Sequence, residues 1–269
     1  MGQGEHAIGA DRNLRRAMSP DATPQTTLRA LVFTSPAHDL VAVRGTFSPT
    51  TSTLLVGQSE SVLVDAQYID SDIAALGDLI ESTGTKLTTI YVTHAHADHY
   101  LGIGALLERF PGARPLATPG VVEAIKATVD VQAGQWSAMF GDAAVKPTVL
   151  PEPMAGDTID LEGTELRVIE VGQGDIRPST VLHVPAIDTV VAGDVIYNQI
   201  HAMLGLSGPD EWQNWIRKHQ PGRATAAGDD RRRPQEARGE RSGGRGDDRR
   251  HPLIHLGLRR GRTERKGRG

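Results

Sequence analysis

The chain has no cysteine among its 269 residues, which excludes disulfides, thiolate metal ligands and a cysteine nucleophile together. Any bound metal must be held by His, Asp or Glu. No apolar run approaches the roughly 20 residues that span a bilayer. The opening MGQGEHAIGADRNLRRAMSPDATPQTT has no apolar core of the signal-peptide kind, so a cytoplasmic protein without a membrane anchor is expected. There is no Gly-x-Ser-x-Gly elbow for a serine nucleophile, and GQGD at 172–175 is too short for a phosphate loop. Hydrophobic residues still make up 38% of the chain, enough to build a core.

The net charge of −4 hides two unlike segments. Residues 217–269 carry 17 of the 29 Lys and Arg but only 7 of the 33 Asp and Glu, together with ten glycines and no aromatic residue. Such a composition cannot bury enough surface to offset chain entropy, and it predicts disorder. Residues 1–26 are expected to be a disordered extension, with Met18 beginning a more ordinary opening. The body, 27–216, is acidic and reads as one domain.

Within that body, TLRALVF (27–33), STLLVG (52–57) and SVLVDA (61–66) read as strands of a meander. DSDIAALGDLIESTG (70–84) places Ile73, Leu76 and Ile80 at helical spacing and opens on Asp and Ser as capping candidates. TTIYVT (88–93) is a buried strand. Helices follow near 100, over 119–127 and over 131–140, then strands at 146–150, 164–171, 179–184 and 188–192, and an acidic helical tract near 210–215. This mixture predicts an α+β fold of packed sheets with helices outside.

The loop after TTIYV holds THAHADHYLG, residues 93–102. In an extended segment His94 and His96 point to one side and can grip one ion. Asp98 and His99 follow after the chain turns and can face a second. Imidazole and carboxylate suit zinc, with iron or manganese as alternatives. Zinc lowers the pKa of its bound water to about 7, so the chemistry implied is hydrolysis.

His-x-His-x-Asp-His between a strand and a helix resembles the metallo-β-lactamase superfamily, and the order of elements from about Thr27 to Trp215 is similar. The resemblance implies an αββα sandwich and one or two metal ions, the first on His94 and His96 and the second on Asp98 and His99. AGDVIY (192–197) resembles the family's strand-end aspartate that bridges both ions, which makes Asp194 the candidate. The family's third histidine should follow the strand ELRVIEVG, but Gly172 is followed by Gln173. Gln173 is a weaker neutral donor, and Asp175 in the same VGQGD stretch is an alternative substitute. His201 is a candidate pocket residue, whereas His183 reads as a strand residue of the core. Trp136, Met139 and Phe140 are either pocket walls or helix packing.

The resemblance implies a metallo-hydrolase acting on an ester, thioester, lactone or lactam-like bond of a small molecule, with a metal-bound hydroxide as attacking group and Asp98 orienting it. An iron-dependent persulfide oxidation is a redox variant of the same reading. A catalytically defective, metal-binding relic is the alternative, motivated by Gln173. A nucleic-acid-binding arm at 217–269 is the lesser one, opposed by the absence of stacking aromatics.

The family's last histidine follows a strand, and His219, His251 and His255 have none before them. A one-base shift of codons permitted for GDDRRRPQEAR (228–238) reads Ala-Thr-Thr-Val-Ala-Gly-His, and the segment RRHPLIHLGL permits a closing helix. We therefore expect a frameshift near 216–222 to have replaced the C-terminus and removed its last strand and helix. Translating the encoding DNA from the codon of Asp210 in all three frames checks this: a strand, Gly-His and a helix should emerge in a shifted frame. Their absence makes the Arg-rich tail native.

Overall fold

The computed structural model describes residues 27–218. The readings made for 1–26 and 219–269, including the closing strand and helix, lie outside those residues. No described helix is long and apolar enough to cross a membrane.

Two sheets form the centre. Strands β1 (Arg29–Thr34), β4 (Thr51–Val56), β5 (Glu60–Val64), β6 (Lys86–Tyr91), β7 (Arg114–Ala117) and β8 (Glu152–Pro153) lie side by side in that order. Pairing is antiparallel from β1 to β5 and parallel from β5 to β8. The second sheet orders β12 (Thr189–Val191), β11 (Ser179–Val184), β10 (Thr164–Gly172) and β9 (Thr158–Leu161), all antiparallel. A small ribbon pairs β2 (His38–Asp39) with β3 (Thr46–Phe47). Helices α1 (Asp70–Ser82), α2 (Ala97–Tyr100), α3 (Ile103–Arg109), α4 (Pro119–Phe140) and α5 (Pro209–Lys218) complete the described chain.

Side-chain alternation explains the layering. Along β4, Leu54 and Val56 face a core shared with α1, α3 and α4, while Leu55 between them faces the other sheet. In β5, Leu63 joins the helix-side core and Val62 and Val64 the inter-sheet core. A strand covered on both faces buries successive side chains, and TSTLLV is buried after its first residue, with Leu54, Leu55 and Val56 as its apolar run. In β10 only Leu166 and Val168 turn inward, with Glu165 and Arg167 exposed, the signature of a sheet packed on one side. Two sheets lie back to back, with α1, α3 and α4 covering the outer face of the first and the outer face of β10 exposed among the described residues, so three layers of the expected sandwich are present.

Several local expectations change. The helices read at 119–127 and 131–140 are one, α4, capped by Thr118 through Val121 N–H and started by Pro119. No proline interrupts 120–140, and Gly134 alone does not break the helix. The strand expected at 146–150 makes no ladder: Pro147 and Pro151 supply no N–H, and Val149 and Leu150 pack against the helix-side core instead. Helix α1 takes Ile69 as its N-cap with no side-chain bond, and Asp70 and Asp72 sit in its first turn. Trp136 and Phe140 are buried with Phe47 and Tyr68 in an aromatic cluster, with ring centroids 4.6–5.8 Å apart, so these two serve packing. Met139 is partly buried against the same core.

Gly102 joins α2 to α3 where the chain crosses the strand end at Ala66 and Gln67, donating its N–H to Gln67 O at 2.9 Å. A Cβ here would run into the Ala66 carbonyl oxygen and lie 2.9 Å from Gln67 O. Both obstacles are backbone. Gly102→Ala should therefore destabilise the fold by about 1–3 kcal/mol, the usual cost of overpacking. Urea unfolding at an unchanged midpoint would refute this close approach.

Candidate metal centre

The site forms where the C-terminal ends of β5 and β6 meet the second sheet. Thr180 on β11 donates its N–H (3.1 Å) and its hydroxyl (2.7 Å) to Thr93 O, and Tyr91 Oη lies 2.7 Å from Thr180 Oγ1. His94 makes an isolated bridge with Ser179. These ties bring the loop after β6 against the β10–β11 loop, which carries Gln173 and Asp175.

Asp65 ends β5 in a left-handed conformation, φ 65°. Its carboxylate accepts from Thr93 N–H (2.9 Å) and from the Thr93 hydroxyl (2.9 and 3.1 Å). Thr93 Oγ1 also lies 2.9 Å from His94 Nδ1. With the single hydroxyl proton given to Asp65, His94 Nδ1 carries the hydrogen of that contact, and Nε2 keeps a lone pair aimed into the site. His94 Nε2 is 3.2 Å from His96 Nδ1. His96 Nδ1 in turn stands 2.8 Å from Asp175 Oδ2, and His94 Nε2 lies 3.9 Å from Asp175 Oδ1.

On the other side of His94, His99 stacks at a tilt with ring centroids 4.1 Å apart. Its Nε2 is 3.4 Å from both Asp98 Oδ2 and Asp194 Oδ1, and its Nδ1 is 2.9 Å from Asp65 Oδ2. Asp98 Oδ2 also accepts from the Thr50 hydroxyl at 3.0 Å. Asp194 sits in a 3₁₀ turn, Gly193–Val195, and Tyr197 donates its phenol to Asp194 Oδ2 at 2.6 Å while lying 3.3 Å from Asp175 Oδ2. Gly193 turns at φ +49°, and a Cβ there would lie 2.7 Å from Thr93 Oγ1, so the aspartate loop can approach Thr93 only with glycine.

Charge is the dominant physical feature. Asp65, Asp98 and Asp175 are buried and Asp194 is half-buried. Among the described residues their ion-pair partners are histidines only, with no Lys or Arg. Burial works to depress the His99 pKa, but the carboxylates of Asp98, Asp65 and Asp194 overcome it and hold His99 well above the ordinary histidine value. For His94, burial and the neighbouring His99 prevail and lower it. Burial opposes the charge of Asp194 and Asp98, yet His99 holds both below the usual carboxylate range. The buried nitrogen His96 Nε2 and both ring nitrogens of His99 have no hydrogen-bond partner of good geometry, the carboxylates near His99 standing at ion-pair distance. Concentrated anionic and imidazole donors with unfilled hydrogen-bonding capacity fit a divalent cation.

One donor atom from each of His94, His96, Asp175 and Asp194 can be chosen so that all lie within 4.8 Å of one another. Asp98 and His99 stand beside this group and share Asp194 with it. Gln173 is buried, but its amide nitrogen donates to Gly174 O at 3.1 Å. His183 is half-buried on β11 away from the group, and His201 is exposed outside it. Asp65, Thr93 and Tyr197 were not singled out in the sequence. Asp65 was signalled by an acidic residue closing the apolar run SVLV, and Tyr197 only by its place three residues after Asp194.

A family model described as the metallo-beta-lactamase superfamily matches residues 45–256. A search of curated proteins finds no match. Among solved structures the chain is similar to a metallo-beta-lactamase from Pontibacter korlensis, at 19% identity and TM-score 0.50 over 70% of this chain and 80% of that one. It is similar to the DIM-1 metallo-beta-lactamase exposed to ceftazidime, at 18% and 0.52 over 74% and 84%. The BLEG-1 B3 metallo-beta-lactamase matches at 16% and 0.51 over 70% and 83%.

Asp65 holds Thr93 and faces His99, so Asp65→Asn keeps the shape but removes the charge that orients both. Its affinity for a divalent ion should fall about 10–100-fold, the usual cost of losing a group that orients a ligand. Competition against a chromogenic chelator reads this directly, and wild-type affinity in the variant would rule out the orienting role.

Proposed function

We propose, from the premise that the chain belongs to the metallo-beta-lactamase superfamily, that it is a metal-dependent hydrolase of small molecules. His94, His96, Asp175 and Asp194 are assigned to a first ion and Asp98, His99 and Asp194 to a second. The observation that carries this assignment is the convergence of four donors within 4.8 Å at a loop-built, largely buried cluster. Zinc is the family expectation for the ion. A divalent ion supplies a Lewis acid and a water acidified to a pKa of about 7 in the zinc case.

The chain's own residues set the stage for that chemistry. Thr93, anchored to Asp65, fixes the His94 ring, and the Asp65 carboxylate beside Nδ1 of His99 leaves Nε2 turned toward Asp98 and Asp194. Thr50 and His99 both contact Oδ2 of Asp98, which leaves Oδ1 to orient an attacking water. Tyr197 holds Asp194 through Oδ2 and keeps Oδ1 facing His99. The bond attacked is an ester, thioester, lactone or lactam-like carbonyl.

Gln173, at the place of a family imidazole, favours a second reading, a metal-binding but catalytically defective protein. Ester, thioester, lactone and β-lactam probes with zinc or manganese separate the two. The hydrolase reading expects turnover that disappears with metal binding in His96→Ala, a loss of at least about 1,000-fold as for removal of an essential catalytic group. Metal bound without turnover supports the defective reading. Turnover surviving in His96→Ala rejects the assigned site.

A further inference from the structure

We propose that Asp175 shifts the first ion's selectivity away from zinc and toward manganese(II), compared with the same cradle carrying an imidazole at that position. This inference rests on the ligand assignment above and adds the direction in which Asp175 moves the site's relative affinity for the two ions. Two residues of the β10–β11 loop could complete the pair His94 and His96, and the structure separates them. The Gln173 amide is turned to its neighbour's carbonyl, Gly174 O. The Asp175 carboxylate is fully buried and faces both imidazoles, with Oδ2 2.8 Å from His96 Nδ1 and Oδ1 3.9 Å from His94 Nε2.

That carboxylate is also held in place. Ile176 donates its N–H to Asp175 Oδ1 at 2.8 Å, and the Tyr197 phenol approaches Oδ2 at 3.3 Å. With Asp194 as the fourth donor, the group offers two nitrogens and two carboxylate oxygens. Imidazole suits zinc, whereas carboxylate suits manganese and other hard ions. An aspartate in place of an imidazole also adds one negative charge to a cluster where Asp65, Asp98 and Asp194 already lack a Lys or Arg partner among the described residues. Zinc still binds most nitrogen and oxygen sites more tightly than manganese in absolute terms. The quantity that Asp175 controls is therefore the ratio of the two affinities.

The test measures dissociation constants of zinc and of manganese for the full chain, by chelator competition for zinc and by the free-ion EPR signal for manganese. Asp175→His should raise the zinc-over-manganese preference by at least about tenfold, the scale on which single groups at a metal site act. Asp175→Asn, nearly isosteric, should weaken manganese more than zinc and carries the test if the histidine variant fails to fold by circular dichroism. A ratio within about twofold of wild type, or one moved toward manganese, overturns the inference while leaving the metal site standing. A wild-type chain that binds neither ion overturns the metallo-hydrolase reading and this inference with it.

Discussion

The seam between the two sheets holds carboxylates and imidazoles at a density that no apolar core tolerates without compensation. Moving a carboxylate out of water costs several kcal/mol even after relaxation. Asp65, Asp98, Asp175 and Asp194 converge there with histidines as their only ion-pair partners among the described residues. The fold is arranged around that burden. Strands β4, β5 and β6 send buried apolar side chains into both cores, so the loops at their ends can be held in one geometry despite the electrostatic cost.

The loops are tied down by short polar links rather than by bulk. Thr93 takes part in three of them: it donates to Asp65, contacts His94 and accepts from Thr180 through its carbonyl. Gln132 on α4 donates to Ala95 O at 2.7 Å, fixing the backbone between the two histidines. Helix α5 joins the other side, where Trp215 donates its indole N–H to Val195 O at 3.0 Å beside the Asp194 turn. Apart from the contact of Thr93 with its neighbour His94, these links span elements apart in sequence, so the geometry of the cluster depends on the packing of the whole sandwich.

This explains what the sequence made legible. Strands with continuous apolar runs, such as STLLVG and SVLVDA, announced themselves by hydrophobicity, and the His-x-His-x-Asp-His run concentrated its signal within six residues. Asp175 was legible only as one of two candidates with Gln173, because the sequence does not show which of them faces the histidines until β10 and β11 pair and bring the aspartate to His96. Asp65 carried only the weak signal of an acidic residue closing an apolar strand, and its left-handed backbone and the crossing of β6 are what turn its carboxylate to Thr93 and His99. The break placed in α4 and the strand placed at 146–150 were errors of local pattern. Helix packing carried α4 through a weakly periodic stretch, and two prolines denied Val149 and Leu150 a ladder.

The arrangement of donors also bears on folding. His94 and His96 precede α2, Asp175 lies in the β10–β11 loop and Asp194 follows β12, so an ion gripping all four would close long loops of chain. In a protein without cysteine, such an ion would tie these segments together in the folded state alone. An ion that binds the folded chain but not the unfolded one stabilises the fold by about 4 kcal/mol when present at roughly 1,000 times its dissociation constant, a large share of the about 5–15 kcal/mol that stabilises an ordinary domain. The cluster that would serve chemistry is thus also a clasp between the two halves of the sandwich, and the ion's departure would loosen the fold as well as the site.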